Sequence, residues 1–300
     1  MANPVLRRRL TVWGDLGKPS PMGIDIEPTG AALGAFVSGF ELGKLDANAS
    51  GTLIEALGEH GVLFFRDQDL SPEAHIAFAE SLGEIDVNAY FSPNETYPQI
   101  AEVRTRPENT YVIGEAWHTD HSYEEAPALG SILVARQLPS HGGDTAFSSM
   151  YAAYDALSDG MKETLRGLRA VHSSYEAFGI GLSKLPEAER SERFQEGYRF
   201  GPDVVHPVVI SHPVSGRPVL YVNRSFTTRF DGWTAAESRP LLEFLFEHGS
   251  SVEFTYRFSW EPGSVAIWDN RCTWHKALND YRGETRLMHR ITVKGCPIAA

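Results

Sequence analysis

The chain has 300 residues, of which 42% are hydrophobic and 22% charged, the balance of a globular protein with a core large enough to need no cross-links. Its formal net charge of −12 at pH 7 argues against broad nucleic-acid binding, which needs clustered Lys and Arg, although a few local arginines would still serve a small anion. The two cysteines, Cys272 and Cys296, imply no disulfide framework and fit a reducing, cytoplasmic setting. No apolar run reaches the ~20 residues of a membrane span, and the start at Arg7, Arg8 and Arg9 lacks the apolar stretch of an export signal.

Residues 1–21 read as a loose solvated arm, and 22–300 as one domain without repeats or linkers. Gly23 to Pro28 alternates like a half-buried strand. Ala47 to His60 has helical spacing, with Leu53, Ile54 and Leu57 on one face, and Val62 to Phe65 is a short buried strand. Ser71, with Pro72 and Glu73 behind it, carries the start signals of a helix that stops at Gly83. Tyr90 to Asn109 is polar and Pro-containing, with one strand-like piece at Ile100 to Val103; the region near 88–114 is expected to be a lid. Strands are expected over Gly130 to Arg136, Asp144 to Ser148 and Leu168 to His172, with helices from Met150 to Leu157 and from Ser158. The charged segment near 173–203 is a second candidate lid. Further strands are expected over Val204 to Ile210, Val219 to Val222, Val252 to Trp260, Ser264 to Trp268 and Leu287 to Lys294, with a helix over Trp233 to His248. Many short strands with helices clustered early suggest a mainly β fold with flanking helices, a sandwich or jelly-roll barrel.

The chemistry-bearing residues fall near the middle and the end. His118-Thr119-Asp120 places an imidazole and a carboxylate two residues apart, on the same face of extended backbone. His275, just past Trp268-Asp269-Asn270-Arg271, supplies a candidate third ligand. Two His and one carboxylate leave metal positions open, which suits a non-haem Fe(II) oxygenase, whereas a closed structural zinc site would more often use Cys. The chain has 11 histidines; His121 and His141 compete as ligands, and His172, His206 and His212 read as structural. Arg286 and Arg290 lie four residues apart and share a strand face if Leu287 to Lys294 extends back by one. Guanidinium groups there would either bind a carboxylate ligand or salt-bridge an edge strand.

Taken together, Trp117-His118-Thr119-Asp120, His141-Gly142-Gly143-Asp144-Thr145 and Trp268-Asp269-Asn270 with His275, Arg286 and Arg290 resemble the taurine dioxygenase and TfdA-like family of 2-oxoglutarate-dependent dioxygenases, over about residues 22 to 295. Val112-Ile113-Gly114, Ser149-Met150-Tyr151, Leu220-Tyr221-Val222-Asn223 and Asp280-Tyr281 with Gly283 look most like its (R)-type aryloxyalkanoate members. The resemblance implies a double-stranded β-helix, the cupin-like jelly roll. It implies Fe(II) held by His118, Asp120 and His275, with 2-oxoglutarate and O₂ as cosubstrates. Thr145 and Arg286 match the pair that holds the distal carboxylate of 2-oxoglutarate, and Arg290 an arginine near the iron that meets the substrate's anionic group or the cosubstrate. Asn88 and Gly114 stand where taurine-specific enzymes place His and Asn, which points away from taurine.

The activity so implied is hydroxylation of a small organic anion, with C–O or C–S cleavage if the carbon carries an aryloxy, sulfate or sulfonate group. Asn88, Tyr123, Tyr221, Phe226 and Arg290 are candidate substrate contacts, with Tyr90 and Phe91 as further aromatics. Two rival readings are a biosynthetic hydroxylase of a larger metabolite and a non-catalytic jelly-roll protein that binds a metal or small acid. Neither nucleic acid nor membrane is an expected partner, and a homo-oligomer is left open.

Overall fold

The structure, a computed structural model, describes residues 23–300 apart from 40, 45–46, 88–89, 92–93, 110 and 195–199. The expected arm at 1–21 lies outside the described residues. In chain order, β1 (Asp25–Pro28) and β2 (Ala35–Ser38) are followed by α1 (Ala47–His60), β3 (Val62–Phe65), α2 (Pro72–Leu82), β4 (Ile85–Asp86) and β5 (Ala101–Thr105). Next come β6 (Gly130–Gln137), β7 (Thr145–Ser149), α3 (Met150–Asp155), α4 (Asp159–Leu165) and β8 (Arg169–His172). α5 (Glu187–Arg193) leads to β9 (Val204–Pro207), β10 (Val209–Ser211), β11 (Pro218–Leu220), β12 (Thr227–Phe230) and α6 (Ala235–Gly249). β13 (Thr255–Phe258), β14 (Val265–Asp269), β15 (Thr273–Ala277) and β16 (Arg286–Val293) complete the chain.

A major sheet in the order β1-β2-β3-β14-β6-β16-β4, with β5 also on β16, faces a minor sheet β13-β7-β15. The expected mainly β jelly roll is therefore the fold. Side-chain alternation assigns each face of the major sheet to a different layer. Leu63 and Phe65, Ile132 and Val134, Val265 and Ile267, and Ile291 and Val293 point outward, onto Leu53 and Leu57 of α1 and Phe78, Ala79 and Leu82 of α2. Val62 and Phe64, Leu133, Ala266 and Trp268, and Met288 point inward, where Phe147 and Phe258 of the minor sheet meet them. Phe64 and Phe258 stack across this interior with centroids 4.3 Å apart. A third apolar layer packs α3 and α6 against β10, β11 and Trp274.

Helix boundaries follow local chemistry. The Ser71 hydroxyl accepts from the Ala74 amide at the head of α2, with Pro72 at its first position, and Ser158 does the same for α4. Thr234 and Glu237 close a reciprocal capping box on α6. Three expectations change. The strand expected over Val204 to Ile210 is two strands: β9 pairs with β8 and β10 with β11. The break falls after Pro207, which has no amide proton for a continuous ladder. The helix expected to reach Leu157 ends at Asp155. The strand expected from Val252 begins only at Thr255, after a 3-10 turn over Val252–Phe254.

Candidate active site

The inward parity of β16 carries Arg286 and Arg290 into the interior with Met288, and that of β6 carries Ser131 with Leu133. On the opposing sheet His275 pairs with Phe147, and Ala277 with Thr145, so all four share the inner face. His118 joins β15 by a reciprocal backbone pair: its amide donates to the His275 carbonyl at 3.1 Å, and the His275 amide donates back at 2.8 Å. This single bridge holds the two imidazoles 4.1 Å apart, centroid to centroid.

Asp120 completes the group. Its Oδ1 lies 3.6 Å from His118 Nε2 and its Oδ2 lies 3.7 Å from His275 Nε2. One ligand atom from each of the three residues falls within 4.8 Å of the others, and all three residues are buried. His118 Nδ1 is 2.8 Å from the Ala116 carbonyl. A carbonyl only accepts, so Nδ1 bears the proton and Nε2 keeps its lone pair for a metal. Burial lowers the pKa of both imidazoles, the proximity of each to Arg290 adding to it, which favours the neutral ligand form. Burial alone would raise the Asp120 carboxyl, but Arg290, His275 and His118 hold it well below the usual carboxylate range. Two neutral nitrogen donors and one carboxylate, converging from one side, fit a divalent metal with positions left open.

Two cavity lobes meet at this centre. The first, about 450 Å³, is lined by Thr145, Leu133, Trp268, Ala277 and Arg286 beside His275. Arg286 is buried, and among the described residues its Nε and Nη2 have no hydrogen-bond partner; the Trp260 ring stands 5.9 Å from the guanidinium carbon. Thr145 Oγ1 accepts from Trp260 Nε1 at 3.0 Å, which leaves its own hydroxyl proton to donate. A buried guanidinium with two idle nitrogens calls for an anion. The second lobe, about 600 Å³, lies over His118 and Asp120 and is walled by Phe91, Tyr123, Phe178, Phe194 and Phe226. Arg290 lines both lobes. Its Nη1 is 3.4 Å from each Asp120 oxygen, and its guanidinium carbon sits 4.8 Å from the Phe91 ring centroid.

Of the candidate substrate contacts, Tyr123, Phe226, Phe91 and Arg290 come together in the second lobe. Tyr90 stands behind it, stacked on Phe178 at 4.2 Å. Tyr221 lines neither lobe: it follows β11 into the third apolar layer and packs on His172 and His206. Asn88 lies outside the described residues. The competing histidines are otherwise engaged. Burial would lower His121, but hydrogen bonds to Asp86 and Glu124 raise it to about 9, so it is a closed ion pair at 3.0 Å to each carboxylate. His141 is exposed on Glu284, His212 holds Asp269, and Cys272 is buried. Sequence reasoning did not find Phe178, Leu182 and Phe194, whose lobe-facing role depends on the fold of 175–194, nor Trp260 and Ser131, and it met Asn270 only as part of the run Trp268-Asp269-Asn270.

A family model described as "Taurine catabolism dioxygenase TauD, TfdA family" matches residues 25–292. The chain is 33% identical over 283 residues to an alpha-ketoglutarate-dependent sulfate ester dioxygenase of Pseudomonas putida, covering 92% of this chain and 91% of that one. It is also 33% identical to an (S)-phenoxypropionate/alpha-ketoglutarate-dioxygenase of Sphingobium herbicidovorans, covering 91% and 96% of the two chains. Among solved structures, AAD-2 in complex with Mn(II) and N-oxalylglycine superposes with a TM-score of 0.74 at 30% identity, covering 91% of this chain and 98% of that one. Family match, relatives and fold agree over nearly the whole described chain, and the protein belongs to the taurine dioxygenase and TfdA family of 2-oxoglutarate-dependent dioxygenases.

Proposed function

We propose that this protein uses Fe(II), 2-oxoglutarate and O₂ to hydroxylate a small organic anion: an aryloxyalkanoate, alkyl sulfate or sulfonate, with cleavage of the adjoining C–O or C–S bond. The observation that carries this reading is Arg286, a buried guanidinium with two nitrogens that have no partner among the described residues, in the lobe that His275 also lines. A 2-oxoglutarate carboxylate supplies the anion it lacks, with the Thr145 hydroxyl as second donor. His118, Asp120 and His275 would hold the metal. When bound, metal and cosubstrate supply the oxidising power for C–H hydroxylation, coupled to decarboxylation of 2-oxoglutarate to succinate.

The chain's own residues bind, orient and exclude water. Arg290 offers charge to the substrate's acid group close to the metal ligands, and the aromatic lobe takes the apolar body and keeps the site dry. The sulfate ester and phenoxypropionate in the names of two relatives support an anionic substrate. The free thiols Cys272 and Cys296 fit the cytoplasm, where we place the enzyme. Among the described residues no helix is long and apolar enough to cross a membrane.

The test is succinate and product formation with Fe(II), ascorbate and 2-oxoglutarate. The substrates to screen are phenoxyacetate, both enantiomers of 2-phenoxypropionate and medium-chain alkyl sulfates. At least one acid should drive succinate release stoichiometric with product, and its intact methyl ester should turn over poorly because Arg290, whose Nη1 reaches Asp120 while its buried Nε has no partner among the described residues, then gains no substrate carboxylate. Equal rates and Michaelis constants for acid and ester would refute the anion anchor and favour a hydroxylase of a larger, uncharged metabolite.

A further inference from the structure

The Asp120 carboxylate has two oxygens and a soft terminal torsion with two-fold symmetry, so its orientation toward a metal must be set by neighbours. Arg290 does not set it: Nη1 is 3.4 Å from Oδ1 and 3.4 Å from Oδ2. The histidines do not either, since each lies at a similar distance from one oxygen, 3.6 Å for His118 to Oδ1 and 3.7 Å for His275 to Oδ2. One contact does distinguish the two oxygens. Ser131 Oγ donates to Oδ2 at 3.0 Å.

Ser131 is itself fixed. It is fully buried on the inner face of β6, opposite Trp268 on β14 and Thr292 on β16. Asn270 Nδ2 donates toward Ser131 Oγ at 3.4 Å, which occupies a hydroxyl lone pair and directs its single proton at Asp120. Asn270 is held in turn: its Oδ1 accepts from Trp268 Nε1 at 2.8 Å, and its amide donates to the Leu129 carbonyl at 3.0 Å. Its own carbonyl accepts from Thr119, the residue between the two ligands His118 and Asp120. One buried chain of donors and acceptors thus runs from the Trp268 indole to a single carboxylate oxygen.

We propose that Ser131, oriented by Asn270 and Trp268, is a positioning residue that engages Oδ2 of Asp120, presents Oδ1 to the metal and thereby sets metal affinity. The inference rests on the reading of His118, Asp120 and His275 as the metal site. Outer groups that orient metal ligands typically carry a ten- to hundredfold share of affinity, which gives the scale to expect.

The experiment is titration of the metal-free full chain with Mn(II), and with Fe(II) under anaerobic conditions, followed by calorimetry and paired with thermal melting of the metal-free form. Ser131→Ala should weaken metal binding by about ten- to a hundredfold. Ser131→Thr, which keeps the hydroxyl, should stay within a few-fold of the parent. Ser148→Ala is the control, since Ser148 is equally buried but donates to the Gly249 carbonyl at 2.6 Å, away from the ligands. It should lower the melting temperature and leave metal affinity unchanged. Unchanged affinity in Ser131→Ala would overturn the proposal. So would a Ser131→Thr variant as weak as Ser131→Ala, or equal losses in Ser131→Ala and Ser148→Ala, because packing rather than the hydroxyl would then be the cause. If His118→Ala binds metal as well as the parent, it is the metal-site reading that fails instead.

Discussion

Arg286 is the residue whose surroundings most demand a ligand. Burial lowers its pKa, and the cost of keeping it charged without a partner is recovered only when an anion arrives. A charge-assisted contact of this kind is worth roughly 1.5–3 kcal/mol, so Arg286→Ala should weaken apparent 2-oxoglutarate affinity by about ten- to a hundredfold. Thr145→Val should cost less, since it removes one neutral hydroxyl. Cosubstrate Michaelis constants measure both, and an unchanged value in Arg286→Ala would transfer the role to another cation. Gly114 is a second residue-scale case. It lines both lobes at φ +80°, and a Cβ there would stand 3.1 Å from His118 Cε1 and 3.7 Å from Nε2, with no other atom of the described residues beyond its chain neighbours within 4 Å. Gly114→Ala would thus strain the backbone and cover the metal-facing nitrogen. We expect a loss of about 1 kcal/mol in melting experiments, accompanied by a marked fall in turnover. Parent-like rates would show that the space above His118 is not used.

At the scale of elements, the two expected lids meet each other. Phe91 and Phe194 form an antiparallel bridge, and Phe178, from the wide helical turn Tyr175–Gly181, stacks on Tyr90 and meets Tyr123 edge-on at 5.8 Å. The roof of the second lobe is therefore one aromatic sheet drawn from both segments. Phe178→Ala removes contacts worth roughly 0.5–1.5 kcal/mol beyond area burial, so the substrate Michaelis constant should rise about three- to tenfold. Water admitted to the site should also make succinate exceed hydroxylated product. A succinate-to-product ratio unchanged from the parent would mean that the roof does not seal the site. The segments stood out in sequence by their polarity and length, but their contents did not. Gly179, Gly181 and Pro186 dilute helical periodicity, and α5 is short and charged, so its burial depends on what it lands on.

For the whole molecule, the layer between the major sheet and α2 carries a pH dependence. His75 on α2 is fully buried and lowered to about 3 by burial, Arg136 and His289. His289 on β16 is lowered to about 4 by burial and Arg136, opposed by Glu102, with Arg104 adding to the lowering. Both imidazoles stay neutral in the fold and take up protons in the unfolded chain near pH 6.5. The unfolded state then binds more protons between about pH 6.5 and the folded values, so stability rises with pH across that window. It should be fully present above about 6.5 and fall progressively toward pH 4. Urea midpoints at pH 7, 6 and 5 should decline in that order, and His75→Gln should flatten the decline. A midpoint independent of pH over this range would refute the assignment.

Local pattern alone determined a good deal of this protein. The continuous apolar runs within Val62–Phe65 and Gly130–Gln137 and the cap at Ser71 marked those elements from local pattern, although both strands take their hydrogen-bond partners from far along the chain. The parity of Arg286 and Arg290, together with the spacing of His118 and Asp120, suggested a candidate metal group beside a candidate anion site before any fold was known, and the structure brings these side chains to adjoining lobes of one cavity. Tertiary structure decided the rest. β2 and β12 escape sequence reading because four-residue strands owe their pairing to distant partners, β3 for one and β8 for the other. His275 stands out in sequence only as a histidine past the run Trp268-Asp269-Asn270-Arg271; its place in β15 follows from pairing with β7 more than a hundred residues earlier. Tyr221 and Phe178 are both aromatic and look interchangeable in sequence; one is core and the other wall because only the packing of layers decides which face of a segment meets the cavity. Ser131 carries no motif, and Asn270 shows in sequence only as part of the run Trp268-Asp269-Asn270; their chain to the Asp120 carboxylate exists because β6 and the turn after β14 converge there.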